Sequence, residues 1–221
     1  MNFSMEQWMQ SYLRAVENAF GSRVWFVGLQ GSYGRGEATG ESDIDVVLIL
    51  DRVSPDDLKA YSRVLDTLPK RDMICGFFSG KEELEHWDKA DLFQFCHDTT
   101  PFVGSLALLM ETIREEDVRR AILTGACSLY HACVHNALHE KSGELLKELY
   151  KAAAFTLQAI AYLQTGVFAR RQEALAAFLQ PEEQEILAQR LRLKNAPITE
   201  ADFEALSALL MRWASKWITE G

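Results

Sequence analysis

Gly31-Ser32-Tyr33-Gly34-Arg35-Gly36-Glu37-Ala38-Thr39-Gly40-Glu41-Ser42-Asp43-Ile44-Asp45 is the stretch of this 221-residue chain whose reading decides the fold. An apolar run, Val24 to Leu29, precedes it, and a second, Ile44 to Leu50, overlaps its end; both suit buried strands. A strand that runs into Gly31-Ser32 presents backbone N–H groups and a hydroxyl at a helix start. Unpaired N–H groups and the helix dipole both favour a phosphate there. Glycine lets the backbone approach such a ligand where a Cβ would collide. Ten residues separate Ser32 from Asp43, and Asp43 and Asp45 stand two apart on a strand, so they project from one face. Adjacent carboxylates repel, and a divalent cation is the natural compensation. Magnesium prefers carboxylate and phosphate oxygens, so the two acids opposite a phosphate cradle make a metal-triphosphate site. Ile44, between them, anchors the strand in the core.

Taken singly, a Gly-Ser turn is just a turn and an Asp-x-Asp is a solvated strand end. Their combination at this spacing, with a strand on each side, is what carries chemistry. The segment is not a P-loop, because no Gly-Lys-Ser/Thr follows. Gly31, Gly34 and Gly36 also miss the GxGxxG spacing of dinucleotide sites.

Outward from this motif the first third alternates helix and strand. Periodicity predicts a helix over Met5 to Ala19, broken at Gly21-Ser22. Ser54-Pro55-Asp56-Asp57 is a helix start with Ser54 as cap and Pro55 at the first helical position; that helix runs to about Leu68. Met73 to Phe78 reads as a third strand. After Lys81 helical periods dominate: Val118–His139, Gly143–Gln164, Arg171–Leu179, Glu182–Leu193 and Glu200–Ile218, with breaks at Gly166, Pro181 and Pro197. Strands followed by a run of helices imply two segregated units. The expectation is an α+β chain: a mixed sheet with flanking helices over residues 1–105, then an antiparallel helical bundle over 106–221.

Nearly half the residues, 48%, are apolar and 25% are charged, as in ordinary globular proteins. No apolar run approaches the ~20 residues that span a bilayer, and the N-terminus lacks the pattern of a signal peptide. Both point to a cytoplasmic protein that meets no membrane. The four cysteines, Cys75, Cys96, Cys127 and Cys133, show no CxxC spacing and are expected as buried thiols. A formal charge of -9 without a basic run argues against a polymeric nucleic acid substrate, whose backbone demands lysine and arginine. A small or cationic acceptor fits better.

The strand, Gly31-Ser32, Arg35-Gly36 and Ser42-Asp43-Ile44-Asp45 leading into Val46-Val47-Leu48-Ile49 together resemble the signature of the DNA polymerase β-like nucleotidyltransferase superfamily. The likeness is to its small bacterial members, among them antibiotic nucleotidyltransferases, and it covers about the first hundred residues. The resemblance implies that Gly31 and Ser32, with Arg35 and Ser42, bind the nucleotide while Asp43 and Asp45 hold Mg2+. The family's third carboxylate would be Asp72, as metal ligand and catalytic residue. It also implies a nucleoside triphosphate substrate, ATP, whose AMP passes to a hydroxyl of a small acceptor, aminoglycoside-like in kind. Tyr150 to Phe168 resembles the helical bundle that accompanies such enzymes, as in the C-terminal domain of kanamycin nucleotidyltransferase and the HEPN bundles. The Arg-x4-His of ribonuclease-type HEPN domains is missing from it. Two alternatives stay open: a minimal-type enzyme that adenylylates a protein, and a degenerate nucleotide-binding module. The apolar helices allow a homodimer.

Cys127, His131, His135 and His139 recur every four residues on one expected helix. At ~1.5 Å rise per residue the ends of that row lie ~18 Å apart, so the set is a packed or solvent-facing stripe rather than one metal site. Trp87, Phe93, Phe95 and Phe102 flank Asp91 and Asp98 and read as core. Asp98 or Glu111 is a candidate general base. Trp213 and Trp217, four apart, are expected to bury the last helix.

Overall fold

The computed structural model describes residues 4–40 and 42–220, and the chain divides after Thr112 into two compact units. The first opens with α1 (Met5–Phe20), capped by the Ser4 hydroxyl and stopped at Gly21. Strand β1 (Val24–Leu29) follows, then α2 (Gly31–Arg35), β2 (Ile44–Leu50), α3 (Pro55–Asp66), β3 (Ile74–Gly80), α4 (Lys81–Glu85), α5 (Lys89–Asp98), β4 (Thr100–Val103) and α6 (Ala107–Met110). Helix α3 starts as its sequence predicts: Ser54 and Asp57 form a reciprocal capping box and Pro55 occupies the first turn.

The sheet has the order β3-β2-β1-β4 and is mixed. β1 runs antiparallel to β2 and β4, and β2 runs parallel to β3, with Asp45 paired to Cys75 and Val47 to Phe77. Central β2 is an almost continuous apolar run because both its faces are covered. On one face Ile44, Val46, Leu48 and Leu50 join Trp8, Met9, Tyr12, Val16 and Phe20 of α1 and Val64 of α3 in a single core. Phe78 packs on Tyr61 of α3 with ring centroids 4.6 Å apart, on that same side. Its neighbour Phe77 points the other way, 5.4 Å from Trp87 and 4.9 Å from Phe95 of α5. Asp45, in line with Val47 and Phe77, therefore belongs to the α5 face.

The second unit is helical: α7 (Glu115–His135), α8 (Gly143–Thr165), α9 (Gln172–Leu175), α10 (Pro181–Leu193) and α11 (Glu200–Thr219). Helix α7 ends in a π-turn over Asn136–Glu140, locked by buried Asn136, whose side chain bonds the backbone N–H and C=O of Ser142. Ser142 caps α8 and Gly166, in the left-handed region, stops it. His131, His135 and His139 are exposed, the solvent-facing stripe that their spacing allows. Not all the thiols are buried: Cys96 and Cys133 are, whereas Cys75 and Cys127 are exposed. Cys75 stands at the open start of β3 and Cys127 on the outer side of α7. No described helix is long and apolar enough to cross a membrane.

Candidate active site

β1 delivers the chain to Gln30, whose N–H donates to the Asp45 carbonyl at 2.8 Å and so ties the start of α2 to β2. Gly31 follows with φ of +63°, in the left-handed region. A Cβ at this position would lie 1.9 Å from Asp45 Oδ2 and 2.9 Å from its Cγ. The backbone of Gly31 therefore lies directly against the Asp45 carboxylate, and the two halves of the motif meet in space. Asp45 is half-buried at the second position of β2; Asp43, two residues earlier, is exposed. Ser32 sits in the first turn of α2, and neither its amide nor its hydroxyl has a hydrogen-bond partner among the described residues.

The turn is braced by the corner where α5 passes into β4. Asp98, 8% exposed, accepts from Arg35 Nη1 at 3.0 and 3.1 Å through its two oxygens. The Gly31 N–H also points at Asp98 Oδ2, at 3.4 Å. Thr100 Oγ1 donates to the Gly34 carbonyl at 3.0 Å, and Gln30 Nε2 donates to Thr99 Oγ1 at 2.8 Å. Arg35 Nε completes the set on Glu37 Oε2 at 3.2 Å. Burial alone would pull the Arg35 guanidinium down, but the charges and hydrogen bonds of Asp98 and Glu37 outweigh it and raise its pKa.

The remaining expected site residues fall differently. Arg35 is neither aimed at a free anion nor solvated; its charge is met inside the protein by Asp98 and Glu37. Ser42 Oγ accepts the Thr39 N–H at 2.9 Å and closes the Thr39–Ser42 turn that leads into Asp43. Asp72 does not open a strand: β3 begins at Ile74, and Asp72 is exposed on a 3₁₀ turn over Arg71–Met73. β3 itself carries no acid, and the residue across from Asp45 is the exposed Cys75. Among the described residues no three His, Cys, Asp or Glu side chains converge to hold a metal. Asp91 and Glu111 are both exposed, and Asp98 is committed to the brace. Sequence reasoning missed that brace, because it joins residues more than sixty positions apart and leaves no periodic trace; the polar run Asp98-Thr99-Thr100 beside a strand was its one local sign.

Asp43 and Asp45 are a chemically sound pair for Mg2+: hard oxygen donors on one strand face, one of them open, beside a turn whose missing Cβ leaves room at the carboxylate. The partnerless Ser32 amide and hydroxyl supply donors of the sort that phosphate oxygens accept.

A family model for the nucleotidyltransferase domain matches residues 11–93. Among solved structures the chain is similar to spectinomycin adenyltransferase AAD(9) from Enterococcus faecialis, crystallised with ATP and spectinomycin, with a TM-score of 0.64 and 13% identity. That alignment covers 96% of this chain and 100% of the other. Comparison with curated proteins finds no match. The matched residues hold β1, α2, β2 and β3, and with them the Gly31–Asp45 contact, so it is the first unit that carries the match to the nucleotidyltransferase domain.

Proposed function

We propose that the chain transfers AMP from Mg-ATP to a hydroxyl of a small cationic acceptor, aminoglycoside-like in kind. The observation that carries the nucleotide half is the contact between Gly31 and Asp45. It sets a backbone turn with unpartnered donors at Ser32 beside the two carboxylates. Asp43 and Asp45 would hold Mg2+, which when bound neutralises charge on the triphosphate. Ser32 would bind a phosphate oxygen through its amide and hydroxyl, while Asp98 and Arg35 keep the turn in place. The acceptor O–Pα bond forms as the bond to pyrophosphate breaks, and the hydroxyl proton passes to water; positioning supplies most of the acceleration. The acceptor class rests on the net charge of -9 and on the likeness to a structure that holds ATP and spectinomycin.

The test is pyrophosphate release from ATP and Mg2+ over a panel of aminoglycosides and aminocyclitols, with a protein acceptor as control. Release with one of the small acceptors, abolished in Asp45→Asn, is expected. Release only with protein selects the protein-modifying alternative, and nucleotide binding without release in any case selects a degenerate module. Asp72→Asn decides the third-carboxylate role: a drop in kcat matching that of Asp45→Asn is the expected sign of a metal ligand.

A further inference from the structure

The helical unit contains a cavity of about 390 Å³ at the junction of the α8 C-terminus, the start of α10 and the last turn of α11. Glu183 of α10 lies in its wall and is 3% exposed. Its Oε1 accepts the indole N–H of Trp213 at 3.4 Å and that of Trp217 at 3.1 Å. Both donors are neutral and both go to one oxygen. Oε2 has no hydrogen-bond partner among the described residues, yet it is not sealed from solvent-sized space. The remaining charges in the wall are Glu182, Glu220 and Lys216; Lys216 is paired with Glu182, and its charge also acts on Glu183 and Glu220.

A structural role for Glu183 accounts for part of this. A carboxylate in the first turn of α10 is favoured by the helix dipole, and the indoles satisfy Oε1. The second oxygen is left to whatever fills the cavity, water or a ligand. A carboxylate this deeply buried is expensive unless its charge is met and both oxygens are bonded. The cavity also carries three acids against one lysine, with Trp217 among the residues that line it. A metal ion is the poorer occupant, since no three ligating side chains converge among the described residues. An organic cation meets every feature: its charge pairs with Glu183 and its apolar body lies on the indole face.

We propose that this cavity binds a small organic cation, a primary ammonium or guanidinium on a compact apolar body, with Glu183 as counter-ion. All the residues that line it belong to the helical unit. Lys216 is its built-in competitor: the Lys216 ammonium already serves the acidic wall from the rim.

Isothermal titration of the full chain with benzylammonium, phenylguanidinium and the neutral isostere benzyl alcohol tests it. Saturable binding of the two cations, and at least tenfold weaker binding of the alcohol, is expected. Glu183→Gln keeps an oxygen for both indoles but removes the charge, and should weaken cation binding at least tenfold. Lys216→Met, at an exposed position, should tighten it severalfold. Equal affinity for alcohol and cation, no binding of either cation, or an unchanged affinity in Glu183→Gln overturns the proposal. If Glu183→Gln does not fold, Lys216→Met decides alone: tightening supports the site, and no change or weakening overturns it.

Discussion

Gly31 and Asp45 occupy one another's space. With 1.9 Å between Asp45 Oδ2 and the position of a Cβ on Gly31, alanine there must displace the carboxylate as well as adopt a left-handed φ. Gly31→Ala should lower kcat/KM for ATP by about 100-fold, the scale of a 1 Å misplacement at a reacting centre. Steady-state kinetics on a variant with native circular dichroism checks it; activity within a factor of about three of wild type would refute the contact. Asp98 and Arg35 should show coupling of ~1–3 kcal/mol in a double-mutant cycle of Asp98→Asn and Arg35→Gln, followed by urea unfolding. Additive losses would mean that the pair is not formed in solution. Cys75, exposed and paired with Asp45 across the sheet, should react with N-ethylmaleimide and cost the enzyme its turnover, whereas Cys75→Ser should keep activity after the same treatment. Cys96, its thiol pushed up to about 12 by burial, should stay unlabelled in the native chain.

Helix α3 shows what local chemistry settles. Ser54 and Asp57 cap each other, Pro55 presets the first turn, and Arg23, from the turn before β1, donates to Asp57 at 2.7 Å. Ser54→Ala should lower stability by about 1 kcal/mol. Hydrogen bonds from Arg23 and then Ser54 hold the Asp57 carboxyl well below the usual carboxylate range. A lowered folded pKa gives stability that is fully present above the unfolded value of about 3.9 and lost as pH falls toward the folded one. The Tm difference between wild type and Asp57→Asn should therefore hold constant above about pH 5 and shrink below about pH 4. A gap that instead closes on the alkaline side would contradict the assignment. The same locality explains what was legible beforehand. Apolar runs announce β1, β2 and β3, and helical periods with Gly and Pro breaks announce α7, α8, α10 and α11. β4 was not legible: it is four residues long, includes Pro101, and exists because β1 offers it an edge. Helix α5 was hidden for a related reason, since its Phe95 serves a tertiary contact with Phe77 rather than one repeating face. In the site, Gly31, Ser32, Asp43 and Asp45 were visible because they are close in sequence. Asp98 stands out in the sequence only as a candidate general base, and its tie to Arg35 is hidden because the two are sixty-three residues apart.

At the scale of the whole chain, a charge of -9 sets which partners approach easily. The KM for a cationic acceptor should rise about tenfold between 0.02 and 0.5 M NaCl as screening shortens the Debye length, while the KM for Mg-ATP moves far less. Steady-state kinetics across that range is the measurement, and an acceptor KM indifferent to salt would remove charge from the account of acceptor selection. The corner that braces the nucleotide turn also dates the birth of the site during synthesis. Residues 98 to 100 are among the last of the first unit to be made, yet they hold Gln30, Gly31, Gly34 and Arg35 in place. A nascent chain stalled on the ribosome before Thr100 has emerged carries the full glycine-rich motif and both aspartates, and still has no formed cradle to offer a nucleotide.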